Sequence, residues 1–140
     1  MAGRIPHTDV LITLMGAPHA SDQVTTALRL TQALLERGAT VQVWTCGYAT
    51  LLTRKPPGPD EPRDLADLAD LADRERERPS LAALAEELLT AHPDRLHWYG
   101  CRSCSDRGAV DHLPQVVLRP PAGYAANVAA ADKTLLMGVI

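Results

Sequence analysis

The stretch from Val10 to Cys46 constrains the fold most. Val10–Met15 (VLITLM) is an unbroken apolar run, which suits a strand buried on both faces. Gly16-Ala17-Pro18 turns the chain. Ser21 or Asp22 can then cap a helix with an apolar face of Val24, Leu28, Leu30, Ala33, Leu34 and Leu35. Gly38 ends that helix, and Val41–Thr45 (VQVWT) reads as a second strand closing on Cys46. A strand–helix–strand unit of this length fits a right-handed parallel crossover.

The pattern continues along the chain. Ser80–Thr90 reads as a helix, with Ser80 as its cap and Leu81, Leu84, Leu88 and Leu89 on one side. Leu96–Tyr99 is a third strand, Gln115–Leu118 a fourth, and Thr134–Ile140 a fifth. A short helix is expected after Cys104 and a small one over Tyr124–Ala131. Strands alternating with helices predict a three-layer α/β/α domain with a mainly parallel five-stranded sheet. At 140 residues, one domain over residues 1–140 is expected. Two segments stand apart. Residues 54–63 hold four prolines and one glycine and read as a loop insertion. Asp64–Asp73 repeats Leu-Ala-Asp, a weakly amphipathic helical pattern rather than a solenoid repeat.

Composition excludes several functions. No apolar run approaches the roughly 20 residues that span a bilayer, and no leader-like segment opens the chain, so a cytoplasmic protein is expected. A net charge of −3 gives no basic footprint, and direct nucleic-acid binding is not expected. Gly16-Ala17-Pro18-His19 lacks the glycine spacing of a dinucleotide site and the lysine of a P-loop. No cofactor is expected. Three cysteines in a reducing compartment are free, metal-bound or reactive rather than structural disulfides.

Chemistry therefore concentrates on His97–Gly108, which contains Cys101 and Cys104. Ligands and reactive groups of parallel sheets gather at the carboxyl ends of strands. Three such ends qualify: Gly16–Ser21, Cys46–Tyr48 and Gly100–Cys104, and two of them carry cysteine. A thiol at a strand-to-helix junction sees a positive helix end, and Arg102 and Arg107 favour a thiolate further. Ser103 is read as a helix cap. Gly16 can offer backbone N–H groups to an anion, and His19 is a candidate proton carrier.

The same residues carry a family resemblance. Val10–Pro18 followed by Ala27–Leu35, the Cys46-Gly47-Tyr48 strand end, Leu96–Cys101 with Arg107-Gly108, and Tyr124–Asp132 before a last apolar strand resemble the DsrE/DsrF-like sulfur-relay family in order and spacing. The resemblance covers nearly the whole chain. It implies a compact α/β fold, homo- or hetero-oligomers, and a cysteine that takes sulfane sulfur as a persulfide and hands it to a partner protein. The second cysteine and the insertion at 54–63 set this chain apart.

The expected function is thus a sulfur carrier, a sulfurtransferase where it turns over. Cys101 is the expected acceptor and Cys104 a resolving thiol, with Cys46, Gly16, His19, Arg102 and Arg107 as binding residues. Which member of the pair carries the sulfur stays open at this level. No resident metal is expected. The rivals are a zinc or small-ligand module drawing on Cys46, His97 or His112, and a dithiol oxidoreductase. The zinc reading lacks a second close cysteine pair, and the pair near residue 100 falls far later than a thioredoxin pair, which follows an early strand.

Overall fold

A computed structural model describes residues 4–16, 22–54, 81–105 and 112–138. The described elements run β1 (Thr8–Met15), α1 (Gln23–Glu36), β2 (Val41–Cys46), a 3-10 segment (Gly47–Thr53), α2 (Leu81–Ala91), β3 (Leu96–Cys101), a 3-10 turn (Arg102–Cys104), β4 (Val116–Arg119), a second 3-10 turn (Pro121–Gly123), α3 (Tyr124–Ala129) and β5 (Ala131–Met137). The strands form one sheet in the order β4-β3-β2-β1-β5. Every pairing between these strands is parallel. All five predicted strands are present, so the α/β expectation holds, and the sheet is parallel throughout.

Strand alternation divides the side chains between two faces. Ile12, Leu14, Val41, Val43, Leu96, Trp98, Val116 and Leu118 point to one side, where Val24, Leu28 and Leu35 of α1 and Ala85, Leu88 and Leu89 of α2 cover them. Leu11, Trp44, Tyr99 and Cys101 point to the other, where, among the described residues, the short α3 packs through Tyr124 and Val128. The Trp44 and Tyr124 rings meet edge to face at 5.2 Å.

Several boundaries differ from the sequence reading, each for a physical reason. Asp22 stands at the N-cap of α1 but makes no side-chain cap bond. At the far end, the Arg37, Gly38 and Ala39 N–H groups all bond to last-turn carbonyls, as a C-terminal glycine permits. β5 begins at Ala131, three residues before the apolar run, because Thr8 and Val10 of β1 align with Ala131 and Lys133. It is an edge strand, so Asp132 and Lys133 face solvent at no cost. The helix expected after Cys104 is not in the described residues. A single 3-10 turn precedes Ser105 instead. Ser103 lies inside that turn rather than capping a helix, and Cys101 occupies the N-cap. The insertion beyond Arg54, the Leu-Ala-Asp repeat and the Ser80 cap lie outside the described residues, as do residues 139–140.

No described helix is long and apolar enough to cross a membrane. Opposite the thiols, α3 is pinned by a buried amide network. Asn127 Nδ2 donates to Gln42 Oε1 at 2.8 Å, and Gln42 Nε2 donates to Thr8 Oγ1 at 2.9 Å. Such pairing satisfies polar groups that burial would otherwise penalise, and it fixes α3 against β1 and β2.

Candidate functional site

The three cysteines converge. Cys46 ends β2, Cys101 ends β3, and Cys104 closes the turn that follows β3. All three Sγ atoms lie within 4.8 Å of one another. The Sγ atoms of Cys46 and Cys104 are 3.7 Å apart, and all three cysteines are free. Parallel β2 and β3 pair side by side, Thr45 opposite Gly100, so their carboxyl ends deliver both thiols to one edge of the sheet.

Burial separates the two members of the pair. Cys101 was expected in an exposed loop. It is a strand residue with 2% exposure, because β3 runs two residues beyond Tyr99. Its neighbours are Leu11, Trp44 and Tyr99. Cys104 and Cys46 are half-buried. Gly100 permits this close approach of strands. A Cβ there would stand 2.8 Å from Leu118 Cδ2 and 3.6 Å from Thr45 Oγ1.

Electrostatics separates the thiols further. Burial opposes ionisation of Cys104, but the Gly47 N–H and the Cys101 and Cys46 thiols all bond to its sulfur, and together they hold its pKa below the ordinary 9.0. Cys46 goes the other way. Burial first, then its bond to Cys104 and the charges on Cys104 and Cys101, push it up to about 11. Of these two thiols Cys104 is thus the more easily ionised, with Cys46 as a thiol donor beside it. Gly47 makes this work through its backbone, with φ +60° at the start of the 3-10 segment. Thr50 fastens the same corner, donating to Gly47 O at 2.8 Å and reaching Cys104 O at 3.4 Å.

The other predicted site residues fall as follows. Arg102 is exposed and bonds Leu118 O at 3.4 Å; the Gly47 N–H and the two thiols, not the guanidinium, are what lower Cys104. Gly16 follows β1 with φ +97°, a conformation that suits glycine. His19 and Arg107 lie outside the described residues. Neither His97 nor His112 joins the sulfur cluster. His112 is buried, its Nδ1 3.1 Å from Thr53 Oγ1 and its Nε2 2.7 Å from Ser105 Oγ. It thereby ties the residue after Cys104 to the Gly47–Thr53 segment.

A cavity of about 350 Å³ opens onto Cys46 and Cys101. Thr13, Trp44 and Tyr124 wall it, with Met15, Pro121 and Leu136 completing the lining. The sequence reading missed Gly47, Thr13, Trp44 and Tyr124. Period-two alternation was the available signal, since Thr13 and Met15, Trp44 and Cys46, and Tyr99 and Cys101 each share a strand face.

No protein-family model matches the chain, and no curated protein does. Among solved structures, the ychN protein from E. coli is similar, with a TM-score of 0.65 over 93% of this chain and 99% of that one. The fold is DsrE-like. Sequence identity to that neighbour is 21%, so the likeness is one of fold. On this DsrE-like fold, the thiol cluster lies at the carboxyl ends of β2 and β3, where parallel α/β sheets place reactive groups.

The split in ionisation has a direct readout. With limiting iodoacetamide near neutral pH, Cys104 should alkylate first, because only the thiolate reacts. Because its pKa is lowered, its rate reaches half its plateau below pH 9.0, whereas that of Cys46 still climbs toward about 11. Peptide mass mapping across pH checks the order. Equal labelling of Cys46 and Cys104 at neutral pH would contradict it.

Proposed function

We propose that this protein is a sulfur carrier that takes sulfane sulfur as a persulfide on Cys104 and passes it to an acceptor. The observation that carries the reading is the gathering of three free thiols within 4.8 Å, with the sulfur of Cys104 contacted by two thiols and a backbone N–H that favour its ionisation. In loading, the Cys104 thiolate attacks the outer sulfur of a donor R–S–SH. A Cys104 S–S bond forms, the donor S–S bond breaks, and RS⁻ leaves. In delivery, an acceptor thiolate attacks the outer sulfur and Cys104 leaves as thiolate. A stabilised thiolate is the better leaving group, so the same contacts serve both steps. Cys46, kept as a thiol, is a poor nucleophile toward the Cys104 persulfide 3.7 Å away. In this reading Cys104, of the two pair members between which the sequence left the choice open, carries the sulfur. A donor protein of the kind the family resemblance implies is the simplest partner for loading.

A second reading, a thiophilic metal site, draws on the same cluster, because soft thiolates bind zinc and copper(I). Closed zinc sites use four protein ligands, and this cluster supplies three. Intact-mass spectrometry after incubation with inorganic polysulfide separates the readings. The carrier gains one sulfur, which dithiothreitol removes. Absence of any sulfur adduct, together with stoichiometric zinc uptake, would sink the carrier reading. Loss of two hydrogens without sulfur uptake would point instead to dithiol redox chemistry.

A further inference from the structure

The cavity that ends on the thiols has an unusual lining for a site handling sulfur anions. Among the described residues, no charged side chain lines it. Trp44 and Tyr124 present aromatic surface, and Met15 and Leu136 give a thioether and an aliphatic rim. The two hydroxyls present, of Thr13 and Tyr124, satisfy each other through a 2.6 Å hydrogen bond. Sulfide, sulfite or thiosulfate would lose its hydration here and gain no cation from the described lining in return. A protein cysteine on a loop would leave most of the space unfilled. The volume, about 350 Å³, falls at the small end of ordinary small-molecule sites.

Resting on the sulfur-carrier reading, we propose that the acceptor is a small, uncharged, apolar thiol, aromatic or branched aliphatic, bound in this cavity. Its sulfur lies against the floor made by Cys46 and Cys101. Both of those sulfurs lie within 4.8 Å of Cys104 Sγ, and the outer sulfur of a Cys104 persulfide adds about 2 Å of reach. The bound RSH attacks that outer sulfur as its proton passes to the leaving Cys104 sulfur. The RS–S bond forms, the Cys104 S–S bond breaks, Cys104 returns to its thiol, and RS–SH departs. Protons and electrons balance with no further reagent.

The test begins with protein loaded by inorganic polysulfide and freed of excess. Benzyl mercaptan and 2-mercaptoethanesulfonate are then compared at equal thiol concentration. The readouts are the rate at which the protein loses one sulfur in intact-mass spectra and the appearance of the small-molecule hydropersulfide. Partial burial of an aromatic ring should favour benzyl mercaptan by about tenfold or more. Leu136 is 65% exposed, so Leu136→Arg should fold normally while placing a cation at the mouth. It should raise the sulfonate rate and shrink the ratio toward unity. Equal rates for the two thiols, or a ratio unmoved by Leu136→Arg, overturn the inference while the loaded protein still upholds the carrier reading. If the protein never loads, the carrier reading itself fails and the inference falls with it.

Discussion

Cys104→Ala is expected to abolish sulfur loading, whereas Cys46→Ala and Cys101→Ala should load more slowly. The ranking follows from the direction of each thiol's ionisation. Cys104 alone combines a lowered pKa with partial exposure. Cys46→Ala removes one of the donors to its sulfur, so the Cys104 pKa rises. The thiolate fraction near neutral pH then falls, but each thiolate becomes more nucleophilic, since the Brønsted slope is about 0.4–0.5, so loading slows by less than the thiolate fraction falls. Delivery suffers as well, because Cys104 becomes a poorer leaving group. Cys101→Ala acts similarly and also opens a small gap beside Leu11, Trp44 and Tyr99. Stopped reactions with polysulfide, read by intact mass, give all three rates. Persistent loading in Cys104→Ala with loss in Cys101→Ala would return the carrier role to Cys101.

The sequence was a good guide to the sheet and a poorer one to the thiols, and the reason is physical. Runs such as Val10–Met15 and Val41–Thr45 are apolar because two layers bury them, so composition alone marks them. Residues Ala131–Lys133 carry no such mark, since an edge strand is held by backbone pairing with β1 and its side chains face water. Cys101 looked like a loop residue because Gly100 before it and Arg102 after it are loop-like types. Yet Gly100 is small so that β3 can pass Leu118, and the strand continues through Cys101. That Cys46 joins the pair was foreseeable from its place at a neighbouring strand end. That Gly47 supplies the decisive N–H was not, because a backbone donor has no residue signature.

The second large effect concerns the scaffold beneath the site. Trp98 lies three residues before Cys101 on β3, opposite Val43 and Val116, and is 1% exposed among the side chains of α1, α2 and the sheet. Trp98→Ala should cost about 3–5 kcal/mol, combining lost transfer energy with a cavity that neighbouring strands cannot collapse into. Against a total stability of roughly 5–15 kcal/mol, that is a drop in Tm on the order of 10–20 °C. Trp98→Phe should behave differently. The Trp98 Nε1 is buried with no hydrogen-bond partner among the described residues, so it carries a desolvation cost that phenylalanine removes. The smaller ring loses some packing in exchange, and the net change should stay within about 1.5 kcal/mol. Urea unfolding followed by far-UV circular dichroism measures both. A Trp98→Phe loss as large as that of Trp98→Ala would mean that the indole N–H is satisfied in solution. Because Trp98 faces away from the cavity, the folded Trp98→Phe protein should keep the same order of cysteine alkylation. A changed order would show that the two faces of β3 are coupled.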